Sequence, residues 1–178
     1  YLGFEKYNRV LVTRYPIPLL MAGHTSCRAE TDVCLINPYG LLNSFSNIFL
    51  VVQADKPKRR GGRLIDAQLM ARAIAACQIN YNTRRSQGLP EMDVMVIPGV
   101  TMVGTSPTFF KIPVTKELCD AVARGNYPFH KTVVKRCSLS HAHAAFGLSN
   151  PEFRKFAIPY YLRLRDFVDE FADVVLSP

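Results

Sequence analysis

The fold is decided by the stretch NIFLVVQADKPKRRGGRLIDAQLMARAIAACQ, residues 47–78. It opens with a nearly continuous apolar run, which is typical of a strand in the centre of a sheet. The run ends in Asp55 and Lys56, and a basic, glycine-containing loop follows. From residue 63 to about residue 82, apolar residues recur at helical spacing. The stretch therefore predicts a central strand, a basic loop and a long helix.

Two more strands are predicted before this unit. Residues 9–23 are rich in apolar and β-branched residues, and Pro16 and Pro18 favour an interrupted strand at the edge of a sheet. Residues 30–36 indicate a second strand, and residues 37–40 (NPYG) are typical of a turn. The chain before the central strand therefore supplies two of its neighbours.

The chain after the long helix predicts a hairpin and then a short helix. Residues 92–115 indicate two strands around a turn at 104–107. Thr115 is typical of a helix N-cap, and we expect the short helix that it opens to end near Ala123. Residues 125–150 show no regular pattern.

The order of elements predicts an α/β fold with a mixed central sheet flanked by helices. We interpret residues 1–178 as a single domain, with its core over 9–124 and a C-terminal helical appendage over 151–175. An aromatic stripe at helical spacing on that appendage favours core packing over a partner groove. We expect Pro159 to kink the helix.

The chain is strongly basic. Its 22 Lys and Arg residues outnumber 14 Asp and Glu residues, which gives a net charge of +8. Such a balance favours a polyanionic partner such as DNA or RNA, although charge that serves solubility alone is the alternative.

The five cysteines are scattered and form no CxxC pair. This pattern favours reduced core residues of an intracellular protein, with nucleus and cytoplasm both open. No apolar run reaches the roughly 18 residues that span a membrane, so we expect no membrane partner.

Residues on three of the predicted elements can meet in one site. Asp32 lies in the second strand, Ala54 and Lys56 lie at the end of the central strand, and Gln68 lies on the following helix. Positions 54 and 56 share a face because side chains alternate along a strand. An acid beside an acid-x-Lys strand can hold a hard cation, and the Lys can assist an attacking water.

Basic residues surround this point. They can hold the phosphates of a nucleic-acid backbone, although a solvated loop is the alternative. These residues are Lys58, Arg59, Arg60, Arg63 and Arg72.

The quoted residues resemble the PD-(D/E)xK, or restriction-endonuclease-like, superfamily, and more closely a group of fungal proteins of that type. The segments that carry the resemblance lie within 9–124 and are AETDVCLI, FLVVQADK, AQLMARAIAACQ and IPGVTMVGTSPTFFKIPVT. The resemblance implies that Asp32 binds metal, that Lys56 is the catalytic Lys and that Gln68 is the helix Gln of the family. It also implies a further acid, which we expect before Tyr1.

The resemblance implies a nuclease that hydrolyses phosphodiester bonds of DNA or RNA with Mg²⁺ or Mn²⁺. A homodimer is compatible with such an enzyme, because cutting two strands requires two sites. The departure from the family is Ala54, where the motif has Glu or Asp. Ala cannot bind a metal, so we expect little or no cleavage by the chain as it stands.

Three interpretations of Ala54 stay open. A natural Glu was replaced to disarm the enzyme, or the natural protein lost activity and kept binding, or the carboxylate moved to Asp55, Glu30 or Asp66. In the last interpretation Asp55 binds the metal together with Asp32. Strand alternation, however, places Asp55 on the face opposite to that of Lys56 unless a bulge intervenes.

Two other functions remain as alternatives. One is a non-catalytic nucleic-acid-binding module. The other is a protein-interaction or regulatory domain of a larger fungal protein, with a partner surface on the aromatic C-terminal helix. The spacing of Cys137, His141 and His143 also permits a transition-metal site, although a solvated loop is the favoured interpretation.

Overall fold

The structure, a computed structural model, describes residues 2–6, 8–37, 46–55 and 62–177. Across these ranges one six-stranded sheet carries its strands in chain order. The strands are β1 (Val10–Met21), β2 (His24–Ile36), β3 (Ile48–Asp55), β4 (Val94–Val103), β5 (Ser106–Thr115) and β6 (Lys135–Ser138). The helices are α1 (Gly62–Ser86), α2 (Lys116–Arg124) and α3 (Pro151–Leu176). The predicted α/β class, with a mixed sheet flanked by helices, is confirmed.

Strand β3 occupies the centre of the sheet, as its apolar run predicts. It pairs antiparallel with β2 and parallel with β4. A parallel pair needs a crossover connection, and α1 provides it. Gly99 of β4 lets α1 lie close, because a Cβ at this position would come within 3.1 Å of Leu69 Cδ2. The predicted helix is confirmed and runs four residues beyond Asn82 to Ser86.

Strand β1 lies at the edge of the sheet, where proline is tolerated, so that prediction is confirmed. Strand β2 is longer than the predicted 30–36, because it begins at His24 and pairs with β1 over its whole length. Ala22 and Gly23 join the two strands with φ angles of 50° and 75°. Positive φ at both central residues is typical of a tight hairpin turn. The predicted turn at 37–40 lies largely outside the described residues.

The predicted hairpin and N-cap over 92–115 are both confirmed. Strands β4 and β5 pair antiparallel from Val94 to Thr115. The Thr115 hydroxyl accepts a hydrogen bond from the Leu118 N–H at 3.1 Å, which satisfies one of the unpaired amides of the first turn of α2. Gly125 ends α2 in the left-handed conformation.

The segment 125–150 is more regular than its sequence indicates. It contains the edge strand β6, which pairs antiparallel with β5, and a 3-10 helix at Ala144–Ser149. All four residues of β6 are exposed, so no apolar alternation marks it in the sequence.

Helix α3 packs against the sheet and shares its core. The ring of Phe171 lies edge-on to Phe49 of β3, with centroids 6.5 Å apart. Phe153 is also buried, so this part of the aromatic stripe is core packing, as expected, whereas Tyr160 and Phe167 are half-buried. Pro159 lies inside α3, and the kink stays a prediction. In the described part of the chain, no helix is long and apolar enough to cross a membrane.

The cysteines are free, and Cys34, Cys77 and Cys119 are buried. Burial raises the pKa of the Cys34 thiol to about 12, which keeps it protonated and unreactive. The predicted core role therefore holds for these three, whereas Cys137 is exposed. The cellular compartment stays a prediction.

Candidate functional site

The candidate site lies where β2 and β3 separate. The last residue pair of their ladder at this end is Val33 with Val52. One step further, a carboxylate oxygen of Asp32 accepts a hydrogen bond from the Ala54 N–H at 2.8 Å. The carboxylate thus takes the place that a backbone acceptor has in a regular ladder. Two positions that are 22 residues apart in the chain therefore meet in space.

Thr31 fixes the geometry of this separation. Its side chain is fully buried, and its hydroxyl lies 2.9 Å from the carbonyl oxygens of both Val33 and Val52. A hydroxyl in this position can donate to either strand, which bridges β2 and β3 beside Asp32. This bridge fixes the strands at the residue directly before Asp32.

Helix α1 places a cation next to the acid. The Arg72 guanidinium donates from Nε to the Glu30 carbonyl at 2.6 Å. Partial burial lowers the pKa of Arg72, and the negative charges of Asp32 and Glu30 oppose that shift. Arg72 therefore stays charged, and its charge lies near two carboxylates on β2.

The side chain of position 54 lies on the α3 side of the sheet. Ala54 pairs with Met102, and the Met102 sulfur accepts a hydrogen bond from Tyr161 of α3 at 3.4 Å. Alternation along β3 then places Asp55 on the side of α1. Ala54 itself is exposed. Position 54 and the α1 residue Gln68 thus belong to opposite sides of the sheet, although the predicted site required them together.

Several predicted site residues fall outside this description. Lys56 lies outside the described residues, and so do Lys58, Arg59 and Arg60. Arg63 lies in the first turn of α1, and its side chain is not described. Gln68 is exposed one helical turn before Arg72. The structure therefore brings together Asp32, the backbone of Ala54 and Arg72 from the predicted set.

The acids that could replace a carboxylate at position 54 form no metal-binding group among the described residues. Across the described ranges, no three His, Cys, Asp or Glu side chains are placed to hold a metal ion. Asp66 instead lies 3.5 Å from the guanidinium of Arg136 on β6. Cys137, His141 and His143 likewise form no metal-binding group among the described residues. The ring of His141 instead packs against Phe156, with ring centroids 4.8 Å apart.

Two polar residues beside the site were missed by sequence analysis. Thr31 precedes Asp32, and Gln53 precedes Ala54. Gln53 is 7% exposed, donates to the Ala54 carbonyl at 3.0 Å, and its side-chain oxygen has no partner among the described residues. The available signal was a polar residue in an otherwise apolar strand, which is costly when buried.

No family model matches the chain, and neither the curated proteins nor the solved structures include a match. The site is therefore interpreted from its own geometry.

Proposed function

We propose that this chain is a PD-(D/E)xK nuclease-like domain that binds DNA or RNA and whose cleavage is impaired by Ala54. The observation that supports this proposal most directly is the 2.8 Å hydrogen bond between Asp32 and the Ala54 N–H. It joins the acid of one strand to the acid-x-Lys position of the next strand. That adjacency is what the resemblance implies for the catalytic centre.

The sheet is consistent with this proposal. The acid lies on β2, the motif lies at the end of the neighbouring strand β3, and α1 follows directly. Arg72 of α1 lies near enough to Asp32 for the two charges to interact, and it can bind a phosphate that approaches the acid. In this proposal Asp32 and an acid at position 54 would bind metal, and Lys56 would assist the attacking water. Because the side chain of position 54 lies on the α3 side and Arg72 lies on the α1 side, the two carboxylates would have to meet beyond the end of the β2–β3 ladder.

The chain as it stands does not fit a complete magnesium or manganese site. One oxygen of Asp32 already accepts from Ala54, and the described His, Cys, Asp and Glu residues form no group of three that could hold a metal ion. Mg²⁺ prefers several carboxylate or water oxygens in octahedral geometry. We therefore expect metal-dependent cleavage to be weak or absent until a carboxylate returns to position 54.

The alternative is a nucleic-acid-binding module that has lost catalysis. The specific observation in its favour is that the side chain of Ala54 is exposed but has no atom that could bind a metal ion. A protein-interaction domain is less well supported. Part of the aromatic stripe of α3 that would serve a partner is buried against the sheet, with Phe153 1% and Phe171 5% exposed.

The test is cleavage of plasmid DNA and of RNA with Mg²⁺ or Mn²⁺. The chain is compared with Ala54→Glu, with Ala54→Gln as a matched variant of similar size and no charge, and with Lys56→Ala in the Glu background. We expect Ala54→Glu alone to cut, with a gain of about 100-fold or more over the Gln variant. This size is typical of one essential group in an active site.

Two outcomes would contradict the proposal. If Ala54→Glu binds nucleic acid in a salt-dependent way and does not cut, the fold serves binding alone. If the chain with Ala54 already cuts strongly, the impaired site is wrong and a different residue carries the reaction.

A further inference from the structure

A groove lies away from the candidate site, between β5, β6 and α3. Its volume is about 380 Å³. Cys137 of β6 pairs with Phe109 of β5, and Phe109 packs against Tyr160 and Tyr161 of α3. The groove therefore opens on the α3 side of the sheet, which is also the side of the Ala54 side chain.

The groove is basic. Its lining includes four cations and, among the described residues, no Asp or Glu. Arg136 is compensated by Asp66 on the other side of the sheet, at 3.5 Å. Lys135 and Arg163 form no ion pair with any described residue. These two exposed cations therefore keep their charge for a ligand.

Aromatic rings lie between the cations. Tyr160 and Phe167 are half-buried on one side of α3. The Tyr160 ring stacks on Phe109 with centroids 6.3 Å apart, so it is held in place from below. The Lys111 ammonium lies 3.9 Å from the centre of the Phe167 ring, which is a cation–π contact. Such supported rings present a face without a large loss of side-chain entropy on binding.

Protection of an exposed sheet edge explains only part of this arrangement. A Lys on an edge strand such as β6 prevents pairing with another chain. That accounts for Lys135. It does not account for Arg163, which lies on α3 across the groove, or for the rings between them.

We propose that this groove binds single-stranded nucleic acid, with phosphates on Lys135 and Arg163 and a base stacked on Phe167 or Tyr160. Cations that follow the backbone, together with aromatic platforms, are the usual chemistry of single-strand binding. The choice of nucleic acid rests on the proposed function. The groove would guide a strand across the α3 side of the sheet toward position 54.

The experiment measures binding of a fluorescein-labelled single strand of about 12 nucleotides, a length near that of a single-strand site. Anisotropy is recorded at several salt concentrations. Lys135→Glu/Arg163→Glu is compared with Arg28→Glu/Arg124→Glu, which makes the same charge change at exposed positions on β2 and at the end of α2. Thermal melting verifies that each variant folds.

We expect the groove variant to bind at least about tenfold more weakly than the control variant. The slope of log K against log salt should fall by about 1.4, because each lost phosphate contact on a single strand removes about 0.7. Phe167→Leu, which keeps an apolar side chain but removes the ring, should weaken binding about fivefold or more. It should change the salt slope little.

Equal binding by the groove and control variants would overturn the proposal. So would tighter binding of polyglutamate or of a DNA duplex than of the single strand. The nuclease proposal is judged separately, by cleavage with Ala54→Glu. If that variant cuts equally well with and without the groove substitutions, the groove proposal is wrong and the nuclease proposal stands. If the groove binds the single strand and Ala54→Glu never cuts, the groove proposal stands and the nuclease proposal is wrong.

Discussion

Helix α1 carries an arginine in each half, and the two arginines have different roles. Arg72 is half-buried, donates to one carbonyl of β2 and lies beside the carboxylates of Asp32 and Glu30. Arg84 is 4% exposed and donates to the carbonyls of four residues. The contrast teaches that a fully bonded, buried charge maintains the fold, whereas a partly bonded, accessible charge can serve a ligand.

Arg84 closes the C-terminal end of α3. Its guanidinium donates to Val174 at 3.3 Å, to Val175 at 2.5 Å and to Ser177 at 3.0 Å, and also to Pro90. The last carbonyls of a helix have no partner within the helix, and a cation is favourable at that end. The side chain therefore ties α1 to α3 and to the loop before β4.

The largest effect is expected from Arg84→Leu. It removes the donor to the carbonyls of four residues, at contacts that are buried or part-buried, and we expect the free energy of unfolding to fall by about 3 kcal/mol. Urea denaturation measures this change. Arg72→Leu is the matched substitution on the same helix and should cost less than about 1 kcal/mol, because water can replace its contact. Equal losses for the two variants would remove the distinction between the halves of α1.

An intermediate effect on stability is expected from a substitution of Asp169 on α3. Its carboxylate forms ion pairs with Lys6 at 2.6 Å and with Arg9 at 2.7 Å. Burial alone would raise the pKa of Asp169, but the hydrogen bonds and charges of Lys6 and Arg9 outweigh it and hold the pKa below its usual value. A lowered pKa gives stability that is present at neutral pH and is lost as pH falls through the folded-state pKa.

Asp169→Asn should therefore lower the free energy of unfolding by about 1 kcal/mol at neutral pH. The gap between the two proteins should shrink below about pH 4, where the carboxylate of an unfolded Asp is protonated. Urea denaturation at several pH values measures it. A gap that stays constant down to pH 3 would show that charge at Asp169 contributes nothing to stability.

The smallest effect on stability is expected from Asp32→Asn. The amide oxygen can still accept from the exposed Ala54, so the free energy of unfolding should change by about 0.5 kcal/mol or less. In the Ala54→Glu background the same substitution should abolish cleavage, because an amide is a poor ligand for Mg²⁺. A large loss of stability would instead place Asp32 with Arg84, as a residue that maintains the fold.

Much of the fold could be predicted because its signals are local. The apolar run of β3, the helical spacing of α1 and the cap at Thr115 each depend on residues close in the chain. Strand β6 escaped prediction because all its residues are exposed and its register is set by β5. The first half of β2 escaped for a similar reason, since pairing with β1 rather than its own polar sequence keeps it extended.

The candidate site was predicted in part. The sequence places Asp32 and Ala54 on neighbouring strands, and the structure brings them into contact. It could not show that position 54 alternates to the α3 side, because the face of a strand depends on its register with β4. Nor could it separate Arg72 from Arg84, since both lie on one helix and differ only in what packs against them.

The sequence by itself determined the α/β class, the central strand, the long helix that follows it and a positive net charge. These follow from hydrophobic periodicity and composition, which act over short distances along the chain. Only the tertiary structure decided which charges are buried and which are accessible. It joined Lys135 of β6 and Arg163 of α3 in one groove and enclosed Arg84 against α3. Burial and charge neighbours depend on packing between distant segments, and the free energy of a charged group depends chiefly on them.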